Sequence, residues 1–177
     1  PYMFGTTYYG IKACPKKAIM IPCFHDESYI YLRIFKKLFP KVLGMIFNSK
    51  PECNLANQVY NLSKVKQIIP GLGLDTDIKA DEDRFRKKYN IYNPFIIYAG
   101  RKDKGKNIDE LIAYFSFYKK RRENSLKLVL IGGGQVEIEK AFKEEIIDLG
   151  FIPLEDKYDA YRAANILCQP SRNESFS

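Results

Sequence analysis

The sequence lacks several features that would assign it to a class at once. No apolar run approaches the roughly 20 residues that a membrane-spanning helix needs. His25 is the only histidine, and the four cysteines are dispersed without a C-x-x-C pair (Cys14, Cys23, Cys53, Cys168). This spacing argues against a structural zinc site and against a disulfide framework, and it favours a reducing cytosol.

The ends, length and charge of the chain set further bounds. The chain begins at Pro1 without a charged-then-apolar leader and stops in polar sequence at Ser177. We therefore expect no signal peptide, and we expect both ends to be cuts through a longer protein. The 177 residues are 46% hydrophobic, which is sufficient for a packed core. A net charge of +8 favours anionic partners, including nucleic acid, lipid headgroups and nucleotide phosphates, without choosing among them.

Apolar strands alternate with amphipathic helices along almost the whole chain. The predicted strands are residues 18–24, 42–48, 65–69, 95–99, 126–131, 146–151 and 165–169. Several are apolar at consecutive positions, which is typical of strands buried on both faces of a parallel sheet. Residues 31–38 and 108–115 repeat the i, i+3, i+4, i+7 spacing of helices. This order predicts an α/β chain with parallel sheets and right-handed crossovers.

One segment interrupts the alternation. Pro70–Asp77, PGLGLDTD, places a proline and two glycines between a strand and a charged helix predicted at Asp81–Tyr89. We interpret it as an interdomain hinge, with an ordinary loop inside one sheet as the alternative. The hinge interpretation divides the chain into residues 1–70, a hinge at 71–79, and residues 80–177.

A basic loop follows the strand within Pro94–Asn107, PFIIYAGRKDKGKN. Gly100 permits close backbone approach to a ligand, and Lys106 is placed near the first turn of the next helix, where free N–H groups favour an anion. Arg101 adds a planar fork suited to phosphate oxygens. In open α/β sheets, ligands bind outside the carboxyl ends of the strands. A solvated basic turn remains an equal alternative.

Three other strand ends carry candidate chemistry. Leu130–Gln135, LIGGGQ, is predicted as a strand-to-helix turn, either one wall of a nucleotide site or a mere tight turn. His25 follows a strand beside Asp26 and Glu27, although a lone histidine is more often structural. Gln169–Ser177, QPSRNESFS, could bind sugar hydroxyls through a carboxylate or form a surface loop.

Taken in order, these loops resemble those of glycosyltransferase family 4, the retaining GT-B glycosyltransferases of group 1. The matching elements are HDE at His25–Glu27, NSxxE at Asn48–Glu52, PGLGLD at Pro70–Asp75, GRKDKGKN at Gly100–Asn107, the LVLIGGG turn, and PSRNESFS at Pro170–Ser177. The resemblance implies two Rossmann-like domains facing across a cleft, both incomplete here. Residues 1–70 would end the acceptor-side domain, and residues 80–177 would begin the nucleotide-sugar domain.

The resemblance also implies roles for individual side chains. Arg101 and Lys106 would hold the donor diphosphate and stabilise the leaving nucleotide, and His25 would line the cleft near the transferred sugar. These three are the expected catalytic residues. Lys102 and Lys104 are expected to stay solvated.

Donor binding is expected to involve further residues at the same strand ends. Gly100 and Gly133 would contribute backbone, and Glu174 resembles the first acid of the family's E-x(7)-E motif, contacting sugar hydroxyls, with Phe176 and Ser177 following. The second glutamate would come beyond the last residue given. We therefore expect this chain, as it stands, to lack activity or to bind donor poorly.

The implied activity is a metal-independent transfer of a hexose from a UDP-, GDP- or ADP-linked donor to a glycan or lipid-linked glycan, in polysaccharide biosynthesis. The nucleotide sugar is a substrate, and no separate cofactor is expected. One alternative is a UDP-sugar 2-epimerase on the same fold. Another is a basic α/β module that binds nucleic acid through segments such as Phe117–Arg122, but helical register places those charges on the solvent side. We therefore expect no nucleic-acid partner.

The segment Tyr29–Lys41, YIYLRIFKKLFPK, is predicted as a basic, aromatic-rich helix. Family members often work at membrane surfaces, and such a helix could lie at an anionic interface. The alternative, which we favour, is an amphipathic helix covering the sheet with Arg33, Lys36 and Lys37 in solvent. The expected location is cytoplasmic, with contact at the inner face of the membrane as the open question.

Overall fold

The structure is a computed structural model that describes residues 2–171. These residues form two compact units, one extending to Leu74 and the other beginning at Asp75.

The first unit is a small parallel sheet with helices. Its elements are α1 (Gly5–Ala13), β1 (Ile19–Met20), α2 (Arg33–Leu38), β2 (Gly44–Ile46), α3 (Lys50–Val59) and β3 (Lys66–Ile68), with 3₁₀-helices at Pro15–Lys17, Ser28–Tyr31 and Phe39–Lys41. The strand order is β1-β2-β3, with every pair parallel. Its core is rich in aromatic rings, and the rings of Phe35 and Phe39 stack with centroids 4.9 Å apart.

The second unit is a four-stranded parallel sheet. Its elements are α4 (Glu82–Tyr89), β4 (Phe95–Ala99), α5 (Ile108–Arg121), β5 (Lys127–Ile131), β6 (Ile146–Gly150), α6 (Leu154–Ala163) and β7 (Ile166–Leu167), with 3₁₀-helices at Lys104–Lys106 and Lys140–Phe142. The strand order is β6-β5-β4-β7, and every pair is parallel. The α/β class with parallel sheets, predicted from the sequence, is confirmed.

The central strands of the second unit are buried on both faces. In β4, Ile97 packs into the cluster formed with α4 and α6, whereas its neighbour Tyr98 packs into the cluster formed with α5. Leu130 and Ile131 of β5 divide between the same two clusters. Because successive side chains of a strand point to opposite faces, a continuous apolar run contributes side chains to the hydrophobic clusters on both faces of the sheet.

Local signals fix the ends of several helices. The Ser49 hydroxyl accepts a hydrogen bond from the Glu52 N–H at the start of α3. Asp81 caps α4 by accepting from the N–H groups of Asp83 and Arg84, and Asn90 ends that helix with φ of 56°. Asparagine tolerates this left-handed conformation better than most residues, so α4 begins and ends close to the predicted Asp81–Tyr89.

Two predicted helices are wrong in detail. The single helix over Tyr29–Lys41 is divided into three short pieces, because Leu32 is extended (ψ 135°) and Pro40 has no N–H with which to continue α2. No α-helix follows the glycine turn after β5, and the segment before β6 contains only the 3₁₀-helix Lys140–Phe142. At the turn, the Gly132 N–H donates to the Gly150 carbonyl at the end of β6, at 2.7 Å.

None of the helices within residues 2–171 combines the length and the apolar content needed to cross a membrane.

Candidate functional site

Four strand ends meet at one edge of the second sheet. Because β4, β5, β6 and β7 are parallel, their carboxyl ends share this edge. Hydrogen bonds join the loops that follow them: Gln169 Nε2 donates to the Ala99 carbonyl at 2.6 Å, and Asn107 Nδ2 donates to the Pro170 carbonyl at 3.1 Å. The basic loop after β4 and the start of the segment after β7, predicted as separate sites, are therefore neighbours in the fold.

The loop after β4 bends around Asp103. This carboxylate lies 3.6 Å from Arg101 Nε through Oδ2 and accepts from the Lys106 N–H at 3.2 Å through Oδ1. The Tyr98 hydroxyl, on a fully buried ring, donates to the Arg101 carbonyl at 2.6 Å. The Arg101 side chain is 78% exposed, so its backbone is held while its guanidinium faces solvent.

The start of α5 differs slightly from the prediction. Lys106 ends a 3₁₀ turn, Asn107 takes the left-handed conformation (φ 53°), and the α-helix begins at Ile108. Asp109 and Glu110 occupy the first turn, where acidic side chains suit the positive end of the helix dipole. Lys106 therefore lies two residues before the first residue of the α-helix rather than inside it, and it is half-buried.

The expectation that Lys102 stays solvated is wrong. Its side chain is 0% exposed, and its Nζ donates to Asp148 Oδ1 of β6 at 2.5 Å. Lys104 is exposed, as expected. A buried ammonium needs an anionic partner, and Asp148 supplies it from a strand 46 residues away.

The glycine turn after β5 packs directly against the basic loop. Gly132 adopts φ of 120°, and a Cβ built there would overlap the carbonyl oxygen of Gly100. The Gly100 N–H donates to the Ile131 carbonyl at 3.0 Å, and the Lys102 N–H donates to the Gly133 carbonyl at 2.8 Å. Glycine thus lets two strand-end loops approach at backbone distance.

A pocket of about 300 Å³ opens beside these two loops. Its lining combines strand-end backbone with apolar and polar side chains: Ala99, Gly100, Arg101, Ile131, Gly132, Gly133, Phe151, Ile152, Leu154, Lys157 and Tyr161. Burial raises the pKa of the Tyr161 hydroxyl, and Tyr158 adds to this, so Tyr161 stays protonated at neutral pH and can donate a hydrogen bond. Mixed apolar and polar linings of this kind are typical of small-molecule sites.

The structure brings together some of the predicted site residues. Gly100, Arg101 and Gly133 line the pocket, whereas Lys106 belongs to the same loop but not to the pocket lining. Glu174, Phe176 and Ser177 lie outside the described residues. Within residues 2–171, no group of three or more His, Cys, Asp or Glu side chains is arranged to hold a metal ion.

His25 belongs to the first unit and is half-buried in the loop after β1. The buried Glu52 holds this loop, since its two carboxylate oxygens accept from the Phe24 N–H and the Asn48 N–H, each at 2.8 Å. The Glu27 carboxylate accepts from the Tyr2 hydroxyl at 2.7 Å, and burial together with this hydrogen bond raises the pKa of Tyr2.

Sequence reasoning missed several residues of this region. Asp103 stands between two lysines in the sequence, and a carboxylate in such a position can accept hydrogen bonds that organise a loop. Interpreting the loop only as basic misses this residue. Lys157 and Tyr161 are four residues apart on α6 and therefore share a face, but nothing local indicated that this face borders the pocket. Nothing in the sequence around Asp148 indicates its ion pair, because its partner, Lys102, is distant in the sequence.

Comparison with known structures places the fold among glycosyltransferases. Sucrose-phosphate synthase (tll1590) from Thermosynechococcus elongatus superposes with a TM-score of 0.68 at 20% identity, covering 86% of this chain and 40% of that one. Anabaena HepE, in complex with UDP and glucose, gives 0.68 at 16% identity, covering 93% and 49%. Trehalose-6-phosphate synthase OtsA gives 0.67 at 10% identity, covering 95% and 50%.

The chain therefore spans 40–50% of the length of these structures. No curated protein matches it in sequence. The family model "Glycosyl transferases group 1" matches residues 80–177, which is more than half of the 177 residues. The chain belongs to the group 1 glycosyl transferase family.

Proposed function

We propose that this chain forms part of a glycosyltransferase and binds a nucleotide-diphosphate sugar at the strand-end edge of its second unit. The observation that carries the proposal is the pocket bordered by Gly100, Arg101 and Gly133, where two strand-end loops pack at backbone distance. Family membership and the fold shared with HepE, which was solved with UDP-glucose, support the same conclusion.

The proposed roles follow from charge and exposure. The exposed Arg101 guanidinium binds the diphosphate of the donor together with Lys106. The nucleobase of the donor enters the pocket near Phe151 and Ile152. Glycosyl transfer passes through an oxocarbenium-like state while negative charge grows on the leaving phosphate, so fixed cations lower the barrier. Glu174 binds sugar hydroxyls beside Phe176 and Ser177, and His25 lines the reacting face.

The proposed reaction is a metal-independent transfer of a hexose with retention of configuration, from a UDP-, GDP- or ADP-linked donor to a glycan or lipid-linked glycan in polysaccharide biosynthesis. The donor is a substrate and no further cofactor takes part. The proposed site of action is the cytoplasm. Residues 1–70 belong to the acceptor side and residues 80–177 to the donor side.

The two rival functions have less support. A UDP-sugar 2-epimerase on this fold would need additional acids at the site, and the described lining of the pocket contributes none. The nucleic-acid hypothesis depends on Phe117–Arg122, where Lys119, Lys120 and Arg121 contact other residues of the protein. Arg121 lies 4.0 Å from the centroid of the Phe117 ring, and Lys119 Nζ donates to the carbonyl of Asn124 at 2.5 Å.

The sequence favours a helix that covers the sheet with its cations in solvent, but the exposed apolar side chains around α2 lead us also to propose contact with an anionic membrane surface. Four apolar side chains there are 45–54% exposed (Tyr29, Tyr31, Leu32, Ile34), and three exposed cations lie among or beside them (Arg33, Lys36, Lys37). Exposed aromatic and aliphatic side chains next to cations suit the interface of an anionic bilayer. We call these seven residues the α2 surface.

The donor site is tested by thermal unfolding of the full-length protein with UDP-, GDP- and ADP-sugars. We expect one donor class to stabilise the protein by about 2.7 kcal/mol at a hundred times its Kd. Arg101→Ala should remove this shift, whereas Lys104→Ala, which removes an exposed cation of the same loop, should keep it. No stabilisation by any donor would count against the proposed function.

A further inference from the structure

Lys102 is the enclosed cation of the strand-end loop. It follows Arg101 directly, yet its side chain is 0% exposed whereas that of Arg101 is 78% exposed. Its backbone is held as well, because its N–H donates to the Gly133 carbonyl and its carbonyl packs against Gly134, where a built Cβ would lie 2.7 Å from the Lys102 oxygen. This cation is inaccessible to a ligand, so its effect must pass through its neighbours.

Asp148 ties Lys102 to a different strand. The carboxylate belongs to β6, and β5 lies between β6 and β4 in the sheet, so the Lys102 side chain reaches past the end of β5. Asp148 Oδ1 accepts from Lys102 Nζ at 2.5 Å and from the Gly150 N–H at 2.9 Å. One oxygen atom therefore connects the loop after β4 with the turn that ends β6.

We propose that the Lys102–Asp148 ion pair is a positioning device for the diphosphate end of the donor site. The backbone on the C-terminal side of Arg101 is held by the Tyr98 hydroxyl, which donates to the Arg101 carbonyl, and by the anchored Lys102. On the N-terminal side, the Gly100 N–H donates to the Ile131 carbonyl. An exposed guanidinium binds a diphosphate well only if its backbone is fixed, because a mobile loop must be ordered on binding. The inference rests on the proposed donor site and names residues that act on it indirectly.

A purely structural ion pair would predict something different. Removing it would lower the stability of the second unit and weaken all ligands of the pocket alike. A positioning role predicts a loss confined to ligands that carry the second phosphate, since the pair supports Arg101 rather than the apolar part of the pocket. Comparing a nucleoside diphosphate with its monophosphate separates these outcomes.

The test measures Kd by calorimetry for UDP, GDP and ADP and for their monophosphates, using the full-length protein. Lys102→Met keeps an unbranched stem and leaves Asp148, which is 27% exposed, with its bond from the Gly150 N–H. We expect the diphosphate Kd to rise about tenfold, corresponding to about 1.4 kcal/mol, and the monophosphate Kd to change less than twofold. Lys104→Met should change neither.

A double variant, Lys102→Met with Asp148→Leu, replaces the ion pair by an apolar pair and leaves no unpaired buried charge. We expect an unfolding temperature close to that of the unaltered protein together with the same tenfold loss for the diphosphate. Unchanged diphosphate affinity in either folded variant, or equal losses for both ligands, would overturn the positioning role. If the unaltered protein binds none of the three diphosphates, the proposed function itself fails.

Discussion

At the scale of single residues, the site depends on glycines that no other residue can replace, and Gly132 is the most closely approached of them. Gly132 has φ of 120°, and its missing Cβ leaves room for the Gly100 carbonyl. Gly133, the next residue, has no atom within 4 Å of a built Cβ. The two glycines look equivalent in the sequence, but only the first is required by the approach of two backbones.

This contrast gives a matched pair of variants. We expect Gly132→Ala to lower the free energy of unfolding by about 2 kcal/mol or more, because both the backbone angle and the Gly100 carbonyl oppose a side chain. Gly133→Ala should change it by less than about 0.5 kcal/mol. Chemical denaturation of the ligand-free protein measures both, and equal effects would contradict the close approach.

At the scale of elements, buried carboxylates join α4 to α6. Asp159 Oδ1 accepts from the Asp81 N–H at 2.7 Å, and Arg84 donates to both of its oxygens. Lys88 Nζ lies 2.7 Å from Asp156 Oδ2, which also accepts from the Tyr89 hydroxyl. Burial and this hydrogen bond raise the pKa of Tyr89 to about 12.

These contacts make the second unit sensitive to acid. The Arg84 hydrogen bond lowers the pKa of Asp159 below its ordinary 3.8. At Asp156, burial raises the pKa, but the hydrogen bonds from Lys88 and Tyr89 lower it by more, so this pKa also lies below its ordinary value. Both carboxylates therefore stabilise the fold fully above about pH 3.8, and this stabilisation is lost as the pH falls below 3.8 through the folded-state values.

We expect Asp159→Asn to lower the unfolding midpoint at pH 7 and to reduce the decline of that midpoint below pH 3.8. Asp77→Asn, at an exposed position before α4, serves as the control and should leave both quantities unchanged. Thermal unfolding followed by circular dichroism from pH 2 to 7 makes the measurement. An undiminished acid decline in the Asp159 variant would contradict the assignment.

At the scale of the whole molecule, a net charge of +8 is combined with exposed apolar side chains in the first unit. The α2 surface contains both kinds of residue within a few positions of one another. The burial of Phe35 and Leu38 in the core explains why the helical pattern of this segment is amphipathic. It does not explain why the solvent side carries Tyr29, Tyr31 and Ile34.

We expect the protein to sediment with anionic liposomes at low salt and to dissociate at high salt. Lys36→Gln with Lys37→Gln should weaken binding about 30-fold, since each cation near such a surface contributes about 1 kcal/mol. Lys140→Gln with Lys143→Gln, two exposed lysines of the second unit, should have little effect. Binding that is absent, or that is indifferent to salt, would end this proposal.

The sequence by itself determined the order of the strands, most of the helices, the parallel sheets and which residues lie at the strand ends. Hydrophobic periodicity and capping residues act over a few positions, so β4 and α4 could be predicted closely from their own residues. Arg101 and Gly133 could be assigned to a strand-end edge for the same reason.

Only the tertiary structure decided which groups meet across the sheet. The sequence predicts a solvated Lys102, but its ammonium group pairs with Asp148, 46 residues away. Likewise, the Asp81 N–H donates to Asp159, 78 residues away. Whether a charged side chain is buried depends on segments, distant in the sequence, that pack around it. The local sequence pattern does not indicate which segments these are. The loop that the sequence marked as basic therefore combines the exposed cations Arg101 and Lys104 with the enclosed cation Lys102, and the packing of β5 and β6 made that division.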